Sequence, residues 1–285
     1  MGDCIALPLP FIPETFMNAS ISALPTRDGI KNQVSAQEWE TRVQLAACYR
    51  LAAHFGWTDL IYTHISAVVP GSDNQHFLLN PFGHTFDEIT ASSLVKIDLE
   101  GNKVDGSPHK VHKAGFVIHS AIHQARPDAT CVLHSHTRAG MALSMLKCGL
   151  LPLSQHANLF YGQVAYHDSE GLSIDLDERA SLQRDLGDKS VMILRNHGTL
   201  VAGSSIPMAF SMMSHLEKAM QAQMDAMATG QELTTTPHEV SQATCERGFT
   251  SRTVAEYQEG ESPLGRLEWP AMLRLLDRMD SSFRN

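Results

Sequence analysis

Three histidines stand where this sequence could carry metal chemistry. His134 and His136 flank Ser135 at the end of the apolar run Ala129-Thr130-Cys131-Val132-Leu133, and His197 follows a second run, Val191-Met192-Ile193-Leu194. Both runs read as buried strands. Side chains two apart on a strand point to one face, so His134 and His136 face the same way near a strand's C-terminal end. If the two strand ends meet, three imidazoles share one point. Three His ligands with an open fourth position are the arrangement of a catalytic metal site rather than a structural one. Spacing alone weighs equally for a plainer reading, two satisfied polar residues at a sheet edge. Histidine usage adds weight to the metal, because nine of the 15 histidines fall between His109 and His197.

The surrounding pattern supplies elements to position them. Ser35 and Glu38 form an S-x-x-E capping box, and Trp39, Val43, Ala46, Ala47 and Leu51 recur at helical spacing up to Gly56. A strand is expected over residues 60–69, closed by Pro70-Gly71, with 77–80 as its hairpin partner and another strand at 94–98. Helices are expected at 113–124, 137–147, 177–187 and 206–229, and three short ones after 230. The methionines of 206–229 read as core or subunit interface. The chain divides into an extended Pro-punctuated arm (1–34), a layered α/β domain with a mixed sheet (35–230) and a helical C-terminal extension (231–285).

Composition narrows the function. A net charge of −9 argues against nucleic acid or an anionic membrane as partner. The five cysteines are scattered, with no C-x-x-C pair, which fits a reducing, cytoplasmic setting rather than a disulfide framework. The start, MGDCIALPLPFIPETF, reads as neither a signal peptide nor a membrane span.

Several segments together carry a resemblance: Ile61-Tyr62-Thr63-His64-Ile65-Ser66, Asn80-Pro81-Phe82-Gly83, His119 through Asp128, His134-Ser135-His136-Thr137, Val164-Ala165-Tyr166-His167-Asp168 and Ile193 through Gly198. In order, over roughly residues 36 to 230, the chain resembles the class II aldolase/adducin family, its adducin branch more than its sugar-phosphate aldolases. The resemblance implies a three-layer α/β/α fold around a mixed, largely antiparallel sheet, and a homo-oligomer, often a tetramer, acting on a small-molecule substrate. It also implies that His134, His136 and His197 hold a divalent metal, usually zinc, which stabilises charge developing during C–C cleavage. Iron or manganese suits the same donors.

Departures from the resemblance bear on activity. The aldolases' acidic acid/base residue falls at Gly115, with no carboxylate beside it. Of the aldolases' phosphate-contacting positions, His64 and Asn80 replace the usual residues while Gly83 is kept. Fuculose- or rhamnulose-phosphate-type cleavage at normal rates is therefore not expected. Replacement bases are Lys113, His112, Tyr166 or His167. Three functions compete: a metal-dependent lyase (aldol cleavage or decarboxylation), an iron or manganese oxygenase or epimerase, and an adducin-like non-catalytic scaffold.

Overall fold

The computed structural model describes residues 29–171, 177–249 and 264–285. Most of the arm expected over 1–34 lies outside them. Helix α1 (Ala36–His54) is followed by strands β1 (His64–Val68), β2 (His76–Leu79) and β3 (Val95–Asp98), then helix α2 (Lys113–Ala125) and strand β4 (Cys131–Ser135). Next come helices α3 (Arg138–Ser144) and α4 (Gln155–Asn158), strand β5 (Val164–His167), helix α5 (Glu178–Leu186) and strands β6 (Val191–Leu194) and β7 (Gly198–Gly203). Helices α6 (Ile206–Ala228), α7 (His238–Phe249) and α8 (Glu268–Met279) close the chain with a 3-10 turn, Ser281–Arg284.

The strands form one sheet in the order β3-β2-β1-β4-β7-β6-β5. Every neighbouring pair is antiparallel except β5 and β6. Those two are joined through α5, the crossover that a parallel pair needs. Strand alternation divides β4: Cys131 and Leu133 pack with Tyr49 of α1 and Met212 and Met213 of α6, whereas Val132 packs with Ile118 and Ile122 of α2 and Leu182 of α5. Helices on both faces make this the three-layer α/β/α fold with a mixed, largely antiparallel sheet. Met212, Met213 and Met220 of α6 are fully buried core residues.

Local differences have physical causes. The capping box at α1 is half made: Ser35 accepts from Glu38 N at 3.1 Å, but the Glu38 carboxylate turns to Arg42 (3.0 Å) and Lys96 (2.8 Å). Arg42 is fully buried, and it also reaches Asp105 and the Leu94 carbonyl. The strand expected over 60–69 pairs only from His64 onwards. Leu60 (φ 50°) and Thr63 (φ 67°) adopt left-handed backbone, unusual for a β-branched residue, so the preceding segment is a tight turn closed by Tyr62 N donating to Asp59 O at 2.8 Å. Strands β5 and β7 have no separate signal in the pattern. Gly198 and Gly203 bound β7 and weaken its propensity, and pairing to β4 and β6 on both sides decides it.

Candidate metal centre

β4 presents His134 on its α2 face, and His136 lies one residue past the strand end. β4 and β6 are not neighbours; β7 runs between them, and His197 stands in the turn joining β6 to β7. Leu194 pairs with Gly198, so the loop is Arg195-Asn196-His197, and Asn196 takes the left-handed conformation (φ 57°) inside the turn that His197 N closes onto the Leu194 carbonyl at 3.1 Å. A Cβ on Gly198 would lie 2.4 Å from the Ser135 carbonyl oxygen and 3.0 Å from the His136 ring. Only glycine lets this hairpin approach the end of β4.

The three rings meet through Nε2. His136 Nε2 is 2.9 Å from His134 Nε2 and 2.8 Å from His197 Nε2. His134 Nδ1 lies 2.9 Å from the Thr199 carbonyl oxygen, which can only accept, so His134 carries its proton on Nδ1. His136 Nδ1 lies 2.9 Å from Asp59 Oδ2, which likewise fixes the proton there. With both rings neutral, two bare nitrogens then face each other at hydrogen-bond distance with no proton between them. That donor set repels itself unless a cation lies between, so the residues fit a divalent metal. Burial pushes His134 far below its ordinary pKa, with the neighbouring His197 and His136 adding to the shift. Burial first, then His136 and His167, lower His197 to about 4. Both are therefore neutral ligands at physiological pH. His134 is buried while His136 and His197 are part-exposed, so the open side of the triad faces solvent.

Asp59 and the Thr199 carbonyl hold the rings as second partners, an arrangement that orients metal-binding histidines. Sequence reading missed both. A carbonyl has no side-chain signal, and an aspartate in a loop is commonplace.

His64 sits beside the triad. It pairs in register with His134, the ring centroids lie 5.2 Å apart, and its Nδ1 is 2.8 Å from His119 Nε2. A Cβ on Gly115 would lie 2.6 Å from His64 Cδ2, so the space a side chain at 115 would enter is filled by this ring. His112, the residue before α2, stacks near-parallel with His64 at 6.2 Å and lies 4.6 Å from Phe82. Lys113 is an exposed residue at the start of α2. Gly83 is an exposed turn glycine at φ 96°.

Three other candidate residues have structural partners. The Tyr49 hydroxyl inserts between β1 and β2 beyond their last pair, contacting both backbone polar groups of Ile65 and, at 2.9 Å, the Asn80 side-chain oxygen. Asn80 is thereby held inside the sheet. The Tyr166 hydroxyl accepts from Leu150 N at 3.0 Å under the Arg195 guanidinium. His167 is clasped by Asp185 (2.8 Å) and faces Glu178 at 3.5 Å.

A family model described as Class II Aldolase and Adducin N-terminal domain matches residues 43–224. The chain belongs to the class II aldolase and adducin family. The crystal structure of an aldolase II superfamily protein from Pseudomonas syringae is 50% identical, with TM-score 0.82, over 90% of this chain and 99% of that one. An L-fuculose 1-phosphate aldolase from Glaciozyma antarctica is 28% identical, with TM-score 0.75, over 88% of this chain and 94% of the other. Rat alpha-adducin is 51% identical over 191 residues, which make up 66% of this chain and 26% of that protein. Both branches of the class II aldolase and adducin family therefore share this chain's fold. The class II aldolases of this family are lyases that generally use a divalent metal, and the His cluster could hold such an ion. Among the described residues, no helix is long and apolar enough to cross a membrane.

Proposed function

We propose that this protein is a divalent-metal-dependent lyase that cleaves or forms a bond to the carbon beside a carbonyl in a small carbohydrate-type substrate. Decarboxylation through the same enolate belongs to this chemistry. The observation that carries the reading is the meeting of three imidazole Nε2 atoms, two of them left bare by Asp59 and the Thr199 carbonyl. His134, His136 and His197 hold the ion. Zinc is the first choice for three imidazoles with an open position, with iron and manganese compatible. When bound, the ion supplies Lewis-acid polarisation of the substrate carbonyl.

The chain's own residues shape the rest. His64 fills the space beside Gly115, with His112 next to it, and neutral imidazoles on this side of the site suit an uncharged polar group better than a phosphate. Fuculose- and rhamnulose-type phosphates are accordingly poor substrates. Leu60 is 74% exposed and Tyr62 45%, and both follow Asp59 in its turn; Met145, just past α3, is 61% exposed. Apolar side chains left open around a site fit a cytoplasmic homo-oligomer, a tetramer in our reading, whose neighbouring subunit covers them.

The test is elemental mass spectrometry of the untagged protein beside His136→Ala. About one equivalent of zinc, lost in the variant, is the expected result. Iron or manganese in its place redirects the search to oxygenases or epimerases. The likeness to alpha-adducin favours a second reading, a non-catalytic member of the family. Absence of metal in both samples, even after incubation with zinc, would sink the enzyme reading and leave the non-catalytic one as the better account.

A further inference from the structure

Beneath the metal centre runs a buried line of polar groups that metal binding does not use. His123 Nδ1 is 3.0 Å from the Ala129 carbonyl oxygen, and His123 Nε2 is 2.6 Å from Ser66 Oγ. Ser66 Oγ is also 2.5 Å from His119 Nδ1, and His119 Nε2 is 2.8 Å from His64 Nδ1. All four residues are buried, His64 the least so at 3% exposure.

Chemistry fixes the direction of every bond in this line. The Ala129 carbonyl only accepts, so neutral His123 carries its proton on Nδ1 and leaves Nε2 bare. A bare ring nitrogen also only accepts, so Ser66 gives its single proton to His123. Ser66 can then only accept from His119, which puts the His119 proton on Nδ1 and leaves its Nε2 bare. That nitrogen accepts from His64 Nδ1–H, so His64 Nε2 is bare in turn. Burial supports the neutral state of His119 and His123, each lowered in pKa chiefly by desolvation. The bare Nε2 makes no hydrogen bond among the described residues, and its edge of the ring lies over Gly115, beside His134.

We propose that His64 is the proton acceptor of this site, and that His119, Ser66 and His123 are positioning residues that lock its Nε2 unprotonated and aimed at the substrate. The assignment rests on the lyase reading above. In the step, His64 Nε2 bonds to a proton of the carbon beside the substrate carbonyl as that C–H bond breaks, and the electron pair moves into the carbonyl to give an enolate. In the cleavage direction Nε2 first takes up the proton that the substrate hydroxyl releases as the C–C bond breaks to give aldehyde and enolate, and then delivers it to the enolate carbon; in the bond-forming direction the proton passes back to the alkoxide oxygen. The residue is regenerated, and no oxidant or other co-reactant is consumed.

Two measurements test this. In metal-free protein labelled with 15N-histidine, two-dimensional NMR of the imidazole nitrogens should show His64 protonated at Nδ1 and bare at Nε2. Ser66→Ala should turn it into a tautomer mixture. A His64 protonated at Nε2 in the wild-type protein overturns the proposal. The second measurement follows deuterium exchange into the carbon-bound positions of dihydroxyacetone in heavy water by zinc-loaded protein. We expect His64→Asn and His64→Gln, each still holding zinc, to lose about 100-fold in exchange rate. Ser66→Ala should lose about tenfold with KM unchanged, because it leaves the acceptor present but unfixed. Exchange at the wild-type rate in both zinc-bound His64 variants refutes the assignment and leaves the lyase reading standing. Zinc-bound wild-type protein that exchanges nothing refutes the lyase reading, and this assignment with it.

Discussion

If the candidate centre holds an ion as proposed, Asp59 sets how firmly. Its carboxylate orients His136 and raises the basicity of the ligating nitrogen. Asp59→Ala should leave the fold intact and weaken zinc affinity about 10- to 100-fold, as read by competition with a calibrated chelator. Unchanged affinity would show that the Asp59 contact is incidental. The asymmetry between this residue and the histidines explains what was legible in the sequence. His134, His136 and His197 are legible because their spacing has a geometric meaning and the histidines crowd into one stretch, and the family resemblance tips the balance from the plainer reading. Asp59 depends on a left-handed turn at Leu60 and Thr63, a backbone choice that neither residue type favours. Tyr166 and His167 illustrate the converse: their types suit acid–base chemistry, but Leu150, Arg195 and Asp185 engage them in holding β5 in place.

At the level of elements, the polar line works because a helix and a strand have nearly matching repeats. Gly115, His119 and His123 recur every fourth residue on α2, and His64 and Ser66 recur every second residue on β1. Four helical residues rise about 6 Å and two strand residues about 6.6 Å, so α2 groups can meet β1 groups rung by rung. The periodicity of α2 was legible, but what its histidines face was not, since that depends on which strand lies beneath. Burying them has a measurable consequence. Burial lowers His123 from 6.5 to about 4 in the folded protein. Between those values the unfolded chain binds a proton that the folded one refuses, so stability is full above about pH 6.5 and falls as the pH drops towards 4. The loss from this residue is on the order of 3 kcal/mol. His123→Gln keeps hydrogen-bonding groups without titrating. Urea unfolding at pH 7 and pH 4 should show a smaller acid loss for the variant by about that amount, and equal losses would remove His123 as the cause.

For the whole molecule, the layered class and most helices follow from periodicity, whereas strands β5 and β7, the sheet order and the path of the C-terminal segment depend on long-range pairing. After α8 the chain returns to the first layer. The Phe283 carbonyl accepts from Ala91 N and the Asn285 carbonyl from Ser92 N, each at 2.9 Å, and the Phe283 ring is fully buried. Leu276 and Trp269 of α8 join the same core as Tyr49 and Met213. This cluster lies on the α1 and α6 face of the sheet, while His64, His119 and Gly115 lie on the α2 face. The C-terminal segment and the candidate site thus lie on opposite sides of one sheet, and their contributions can be separated experimentally. Phe283→Ala leaves a ring-sized gap that the surrounding helices fill only in part, and should cost about 3–5 kcal/mol in denaturant unfolding. Zinc content per folded chain should stay at one equivalent, because the β4 end and the β6–β7 hairpin do not rest on that ring. Loss of zinc in step with stability would mean that the C-terminal segment also braces the metal centre through α1 and the sheet.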